Sequence, residues 1–313
     1  MIVSKTAFLF PGQGAQSVGM MSDLAAASGL VRSTFDEASS VLGYDLWTVA
    51  EQGPEERLNE TQVTQPALLA AGIATWRIWR ERGGKAPDFM AGHSLGEYTA
   101  LVAAGALDFD AAIALVARRG EMMQQATPAG SGAMAAVLGL DDDVLASVCE
   151  KASDAGVVSC ANFNSPGQIV IAGETAAVER ACALAGEAGA RRAVPLAVSV
   201  PSHCALMAPA AEGMRAALEQ AEIRVPQIPV LHNVDTGVRT APDGIRAALV
   251  EQLYRPVRWA DTVRRLAGDG VLRMAECGPG RVLAGLNRRI SRDIETVALT
   301  GIDTIEKTLD EWS

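Results

Sequence analysis

A chain of 313 residues can bury one large core, or one core that carries an inserted domain. Its formal net charge of -10 speaks against general nucleic-acid binding, and no apolar run approaches the ~20 residues that a membrane-spanning helix needs. The five cysteines (Cys149, Cys160, Cys182, Cys204 and Cys277) are odd in number and lack CxxC spacing, which argues against a disulfide framework or zinc site and for a reducing, cytoplasmic compartment.

The first ten residues lack the pattern of a signal peptide and read as a first strand ending at Phe10. The glycine loop "FPGQGAQ" follows. Helices are expected over 19–42 and 65–82, the second with Pro66 in its first turn, and a short strand over 88–91. Strands separated by helices imply a parallel sheet with helices on its faces. The rhythm then changes over 130–199. "AMAAVLGL", "VVSCANFN", "IVIAGE" and "RRAVPLAVS" read as strands, and "DDDVLASVCEKASDAG" and "TAAVERACALAGEAG" as helices. The order βαββαβ is that of a ferredoxin-like unit, here inserted between 1–129 and 200–313. The tail after Arg292 is weakly patterned.

"GHSLG", residues 92–96, fits GxSxG between an apolar strand and a helix. A serine on so sharp a turn points its hydroxyl into open space, and the N–H of the next residue, Leu95, faces an incipient oxyanion. Ser94 is therefore the candidate nucleophile. A serine nucleophile needs a base, and there are three histidines. His93 adjoins Ser94 and should diverge from it; His232 lies in the apolar "PVLHNVD", where a core histidine is expected. His203 is the candidate base. It is expected just after a strand ending at Val200, in the first turn of a helix that Ser202 caps, where the helix N-terminus would keep the ring neutral. Asp235, Asp261, Glu276 or a backbone carbonyl could orient it.

"DFDAAIALVARRGEMMQQA" reads as a helix beginning near Asp108 or Asp110. Arg119 falls in the middle of its apolar face, beside Ile113, Leu115, Val116, Met122 and Met123. An inward cation requires an anion, either an internal carboxylate or that of a substrate. Both readings are open at the level of sequence.

"FPGQGAQ", "TQPAL", "GHSLGEYTALV", "RRGEMMQ", "NFNSPGQIVIAG", "VPSHCALM", "QLYRPVRW" and "CGPGRVLAGL" occur in this order. Together they resemble the malonyl-CoA:acyl carrier protein transacylases of fatty acid synthesis. The resemblance implies an α/β-hydrolase-like core with a parallel sheet and the inserted ferredoxin-like subdomain. It implies Ser94 as acyl acceptor, His203 as base, Arg119 as the grip on a malonyl carboxylate, and the main-chain N–H groups of Gln13 and Leu95 as oxyanion hole. It also implies that the backbone carbonyl of Gln252 orients the histidine. No metal or organic cofactor is implied. The opening loop accordingly is not a phosphate cradle; it has Ser17 where the dinucleotide fingerprint requires a third glycine.

The implied partners are malonyl-CoA and an acidic acyl carrier protein. Since this chain is also acidic, docking calls for a local basic surface, for which Arg191 with Arg192, and Arg288, Arg289 and Arg292, are candidates. Alternative readings are a serine thioesterase or other hydrolase, a non-catalytic interaction module, and a transacylase of a polyketide or malonate decarboxylase system.

Overall fold

The computed structural model describes residues 5–128, 130–198 and 200–312. The strands are β1 (Lys5–Phe10), β2 (Phe89–Gly92), β3 (Gly132–Leu138), β4 (Val158–Ser165), β5 (Gln168–Glu174), β6 (Arg192–Pro195), β7 (Val230–Leu231), β8 (Val271–Glu276) and β9 (Glu295–Ala298). They form two sheets, one ordered β7-β2-β1-β8-β9 and one ordered β4-β5-β3-β6. All pairings in the first sheet are parallel and all in the second antiparallel.

β1 shows why the first sheet is buried on both faces. Side chains alternate along a strand. Phe8 and Phe10 enter one core, where Phe8 meets Trp76, Trp79 and Trp312 edge-on. Ala7 and Leu9 enter another, with Trp259, Val263 and Leu266. A continuous apolar run is the expected signature of such a strand. The second sheet lays one face on the helices Asp142–Ala152 and Thr175–Glu187. Its other face, with Met134, Val170 and Ala172, packs against Cys204. Among the described residues no helix is long and apolar enough to cross a membrane.

Several expectations need correction. The helix expected over 19–42 is two, Ser22–Ala27 and Gly29–Leu42. Ser28 breaks it by turning extended and accepting the Leu30 N–H on its hydroxyl, a cap that ends one helix and starts the next. The expected 65–82 helix spans Thr61–Glu81, with Pro66 in its interior and Glu60 as N-cap. Two short helices, Leu46–Gln52 and Glu55–Leu58, were not foreseen. The strand expected to run to Val200 ends at Pro195; Ser199 lies outside the described residues. The tail after Arg292 forms β9 and the helix Ile302–Trp312, which closes over Phe8 and Trp79 with Trp312.

Candidate active site

β2 turns directly into the helix Gly96–Ala103, and Ser94 sits on that turn. Its φ of 51° is unusual for a residue with a side chain. The turn closes only because its flank is bare: a Cβ on Gly96 would lie 2.0 Å from the Phe10 carbonyl oxygen. Asn233 locks the bend from below. Its Oδ1 accepts the Ser94 N–H at 2.7 Å and its Nδ2 donates to the Gly92 carbonyl at 2.7 Å.

The Ser94 hydroxyl lies 2.8 Å from Nε2 of His203, and His203 Nδ1 lies 2.7 Å from the Gln252 carbonyl oxygen. A carbonyl only accepts, so the ring proton belongs on Nδ1, which leaves Nε2 to receive the serine proton. Burial, with the Arg119 charge adding to it, pushes His203 down to about 3. The expected position of His203 is corrected here. It is not in a helical turn; its φ is 62°, its N–H donates to the Leu253 carbonyl, and the first helical residue after it is Ala205. Burial and Arg119, not a helix end, keep the ring neutral.

None of the acids considered reaches His203. Asp235 pairs with Arg239, and Asp261 with Arg258 and Arg264. Glu276 accepts the N–H groups of Leu283 and Ala284. His93 diverges from Ser94, with Nε2 2.8 Å from Asn164 Oδ1. His232 is a core residue whose Nδ1 is 2.7 Å from Glu97.

Arg119 projects from the helix Phe109–Gln125 and is 1% exposed. Its Nη1 donates to Gln65 Oε1 at 2.8 Å, and its Nη2 to Gln252 Oε1 at 3.0 Å and to the Ser94 hydroxyl at 3.2 Å. Its Nε is buried with no partner. Among the described residues no carboxylate pairs with it. Of the two readings left open by the sequence, an internal ion pair is therefore not formed. Burial holds the guanidinium below its ordinary pKa, and the negative charge of Glu97 works the other way.

The loop after β1 approaches the serine turn so closely that a Cβ on Gly12 would lie 2.4 Å from the His93 carbonyl oxygen. This close approach is the reason for a glycine there, and it brings Gln13 to the cavity that Ser94, Leu95, Arg119 and His203 also line. The N–H groups of Gln13 and Leu95 have no protein acceptor among the described residues. The cavity, of about 410 Å³, is also lined by Met134, Asn162, Gln168 and Val170 of the antiparallel sheet.

Sequence reasoning missed Gln65, Glu97 and Asn233. Each is a polar residue, at most 1% exposed, within an apolar segment. That misfit was the available signal.

Arg191, Arg192, Arg288, Arg289 and Arg292 are all exposed. Leu138 is paired with Gln168 on one side and with Arg192 on the other, so Gln168 and Arg192 are about 10 Å apart across the sheet. Arg289 donates to the side chain of Gln168, which lines the cavity. Arg192 and Arg289 therefore flank the same end of the antiparallel sheet.

Residues 7–303 match the acyl transferase domain family. The chain is 56% identical to the malonyl CoA-acyl carrier protein transacylase of Haemophilus influenzae, over 96% of this chain and 96% of that protein. This chain belongs to the malonyl CoA-acyl carrier protein transacylase family. It is an acyltransferase, and the likeness extends over nearly all of it. The Coxiella burnetii malonyl CoA-acyl carrier protein transacylase structure superposes with a TM-score of 0.98 at 47% identity, covering 99% of this chain and 98% of that one. A malonyl-transacylase solved in complex with a type II PKS acyl-carrier protein superposes with a TM-score of 0.97 at 54% identity, covering 98% and 100%.

Proposed function

We propose that this transacylase moves the malonyl group from malonyl-CoA to the phosphopantetheine thiol of an acyl carrier protein, supplying fatty acid synthesis in the cytoplasm. The observation that carries the reading is Arg119, a buried cation held only by neutral partners and 3.2 Å from the candidate nucleophile. Such a group is completed by an acyl chain that brings its own carboxylate.

In the first half-reaction Ser94 Oγ attacks the thioester carbonyl and His203 Nε2 takes its proton. The tetrahedral oxyanion is held by the N–H groups of Gln13 and Leu95, each worth about 3 kcal/mol. The intermediate collapses, the carbon–sulfur bond breaks, and the imidazolium returns its proton to the departing coenzyme A thiolate. In the second half-reaction the carrier thiol, deprotonated by His203, attacks malonyl-Ser94 and the serine oxygen leaves with the proton. The cycle is ping-pong and exchanges one thioester for another, so no energy source is required.

The architecture that suits this chemistry is an α/β-hydrolase-like core over 1–129 and 200–313 with a ferredoxin-like subdomain over 130–199. In support, the elements from β3 to β6 run βαββαβ and their sheet order is β4-β5-β3-β6.

The test is intact mass spectrometry with malonyl-CoA, then with phosphopantetheinylated carrier protein. The expected result is malonyl mass on the Ser94 peptide and its transfer to the carrier. A hydrolase would release free malonate at the same rate with or without carrier, and that outcome would refute the transfer reading.

The carrier docks on the arginine rim. Reversing the charge of Arg288 and Arg289 together is expected to raise the apparent KM for carrier protein about tenfold. Slow hydrolysis of malonyl-CoA, which needs no carrier, should stay unchanged. An unaltered KM for carrier would remove this surface from the interface.

A further inference from the structure

A buried guanidinium without a carboxylate in contact is costly unless its charge is balanced nearby. The balance is one amide away. Gln252 accepts from Arg119 Nη2 through Oε1 and donates through Nε2 to Glu97 Oε2 at 2.8 Å and to the Ser94 carbonyl at 3.0 Å. Arg119 only donates and the Glu97 carboxylate accepts, so the amide has one orientation. Glu97 is fully buried in the first turn of the helix that follows Ser94, where the N-terminal end of the helix favours an acid. Its oxygens also accept from His232 Nδ1 at 2.7 Å and from the Asn233 N–H at 2.9 Å. Asn233 is the residue that clamps the Ser94 turn. One carboxylate is thus tied within two links to the nucleophile, to the residue that orients the base, and to the guanidinium.

We propose that Glu97 is a positioning residue and the counter-anion of Arg119, acting through Gln252. Direct contact would cover the guanidinium and exclude a substrate carboxylate. Separation by the amide balances the charge and leaves the guanidinium without a carboxylate in contact, its Nε still without a partner. It also sets a second carboxylate against the substrate's own, on the order of 10 Å away, so that an anion on Arg119 is held but not trapped. The inference rests on Arg119 as the malonyl grip.

The experiment measures malonyl loading of Ser94 and its inhibition by malonate and acetate. Glu97→Gln keeps the shape and removes the charge. The expected result is about tenfold tighter inhibition by both anions and a lower KM for malonyl-CoA with a lower kcat. A role in folding alone would lower kcat and leave anion inhibition and KM as in the wild type, and that result would overturn the proposal.

The exchange E97Q with Q252E keeps one buried carboxylate but sets it directly on Arg119, so it serves even if Glu97→Gln does not fold. It is expected to load malonyl about 100-fold more slowly and to lose anion inhibition; wild-type behaviour would equally overturn the proposal. Failure of the underlying reading is separate, because Arg119→Ala would then lower malonyl and acetyl loading equally.

Discussion

Arg119→Ala is expected to lower the kcat/KM for malonyl loading of Ser94 by about 10³-fold and to change acetyl loading by no more than about threefold. On the proposed reading the malonyl carboxylate enters the cavity that Met123, Val200 and Leu286 line, and Arg119 is the cation there. With the guanidinium gone, a desolvated carboxylate is left unpaired, which costs about 3–5 kcal/mol. Acetyl has no such group; it loses the weak hydrogen bond from Nη2 to the Ser94 hydroxyl, 3.2 Å long, and the Arg119 share in keeping His203 neutral, while burial, the larger cause, remains. Sites built around a polar partner discriminate far more strongly than those that sense a methylene. Arg119→Lys keeps the charge and loses the paired donors, so it should fall between. Burst-phase loading with each acyl-CoA, followed by mass, reads the ratio directly. An equal drop for both acyl groups would assign Arg119 to the structure of the cavity and not to selection.

What was legible in the sequence was local. The apolar β1 and the inward Arg119 are set by neighbours within one element, the GxSxG turn by a five-residue motif, and the βαββαβ order by the succession of adjacent elements. Periodicity and short motifs show them. What was not legible depends on distance or on single dihedrals. Gln252 meets Ser94 and Arg119 from more than 130 positions away, and no periodicity encodes that meeting. The sequence resemblance named its carbonyl but not its side chain. His203 was misassigned to a helix because "VPSHCALM" has a capping serine, whereas the chain there takes a left-handed turn at His203 itself. The helix containing Pro66 was begun too late because proline favours a first turn, whereas here the helix starts at Thr61 with Glu60 accepting from Val63 and Thr64. The last helix was missed although Ile302, Ile305, Leu309 and Trp312 repeat at helical spacing; charged residues between them hid the stripe.

The arrangement has a common logic. Three groups at the site are held in states that a free side chain would not keep. The hydroxyl is raised by a strained dihedral, the guanidinium is unpaired, and the imidazole is denied its proton by burial and by that same guanidinium. On the proposed reading, the cation that selects the acyl group therefore also keeps the base ready. A bound malonyl carboxylate cancels part of that push, so the imidazole accepts the serine proton more readily once the correct acyl group is in place.

His203 is the residue on which this coupling is measured, and its loss is the second large effect expected. His203→Ala should slow acylation of Ser94 by about 10⁴-fold, since the serine then has no acceptor for its proton. In the wild-type enzyme the sign of the pH dependence follows from the ring's position near 3 against about 6.5 in the unfolded chain. Above about 3 the base is neutral, so kcat/KM for malonyl loading should stay flat from about pH 8 to about pH 5. A fall centred near 6.5 would show an ordinary solvated imidazole and remove the explanation given for its readiness. Stability behaves differently. Between about 6.5 and 3 the unfolded chain binds a proton that the folded ring refuses, so stability is fully present above about 6.5 and is lost as the pH falls through that window. The loss is about 1.4 kcal/mol for each pH unit. His93, also lowered by burial, acts in the same direction. Urea midpoints at about pH 7 and pH 5 should therefore diverge more for the wild type than for His203→Ala, because the variant has lost this proton from both states. Equal divergence would mean that the folded ring titrates as it does in the unfolded chain.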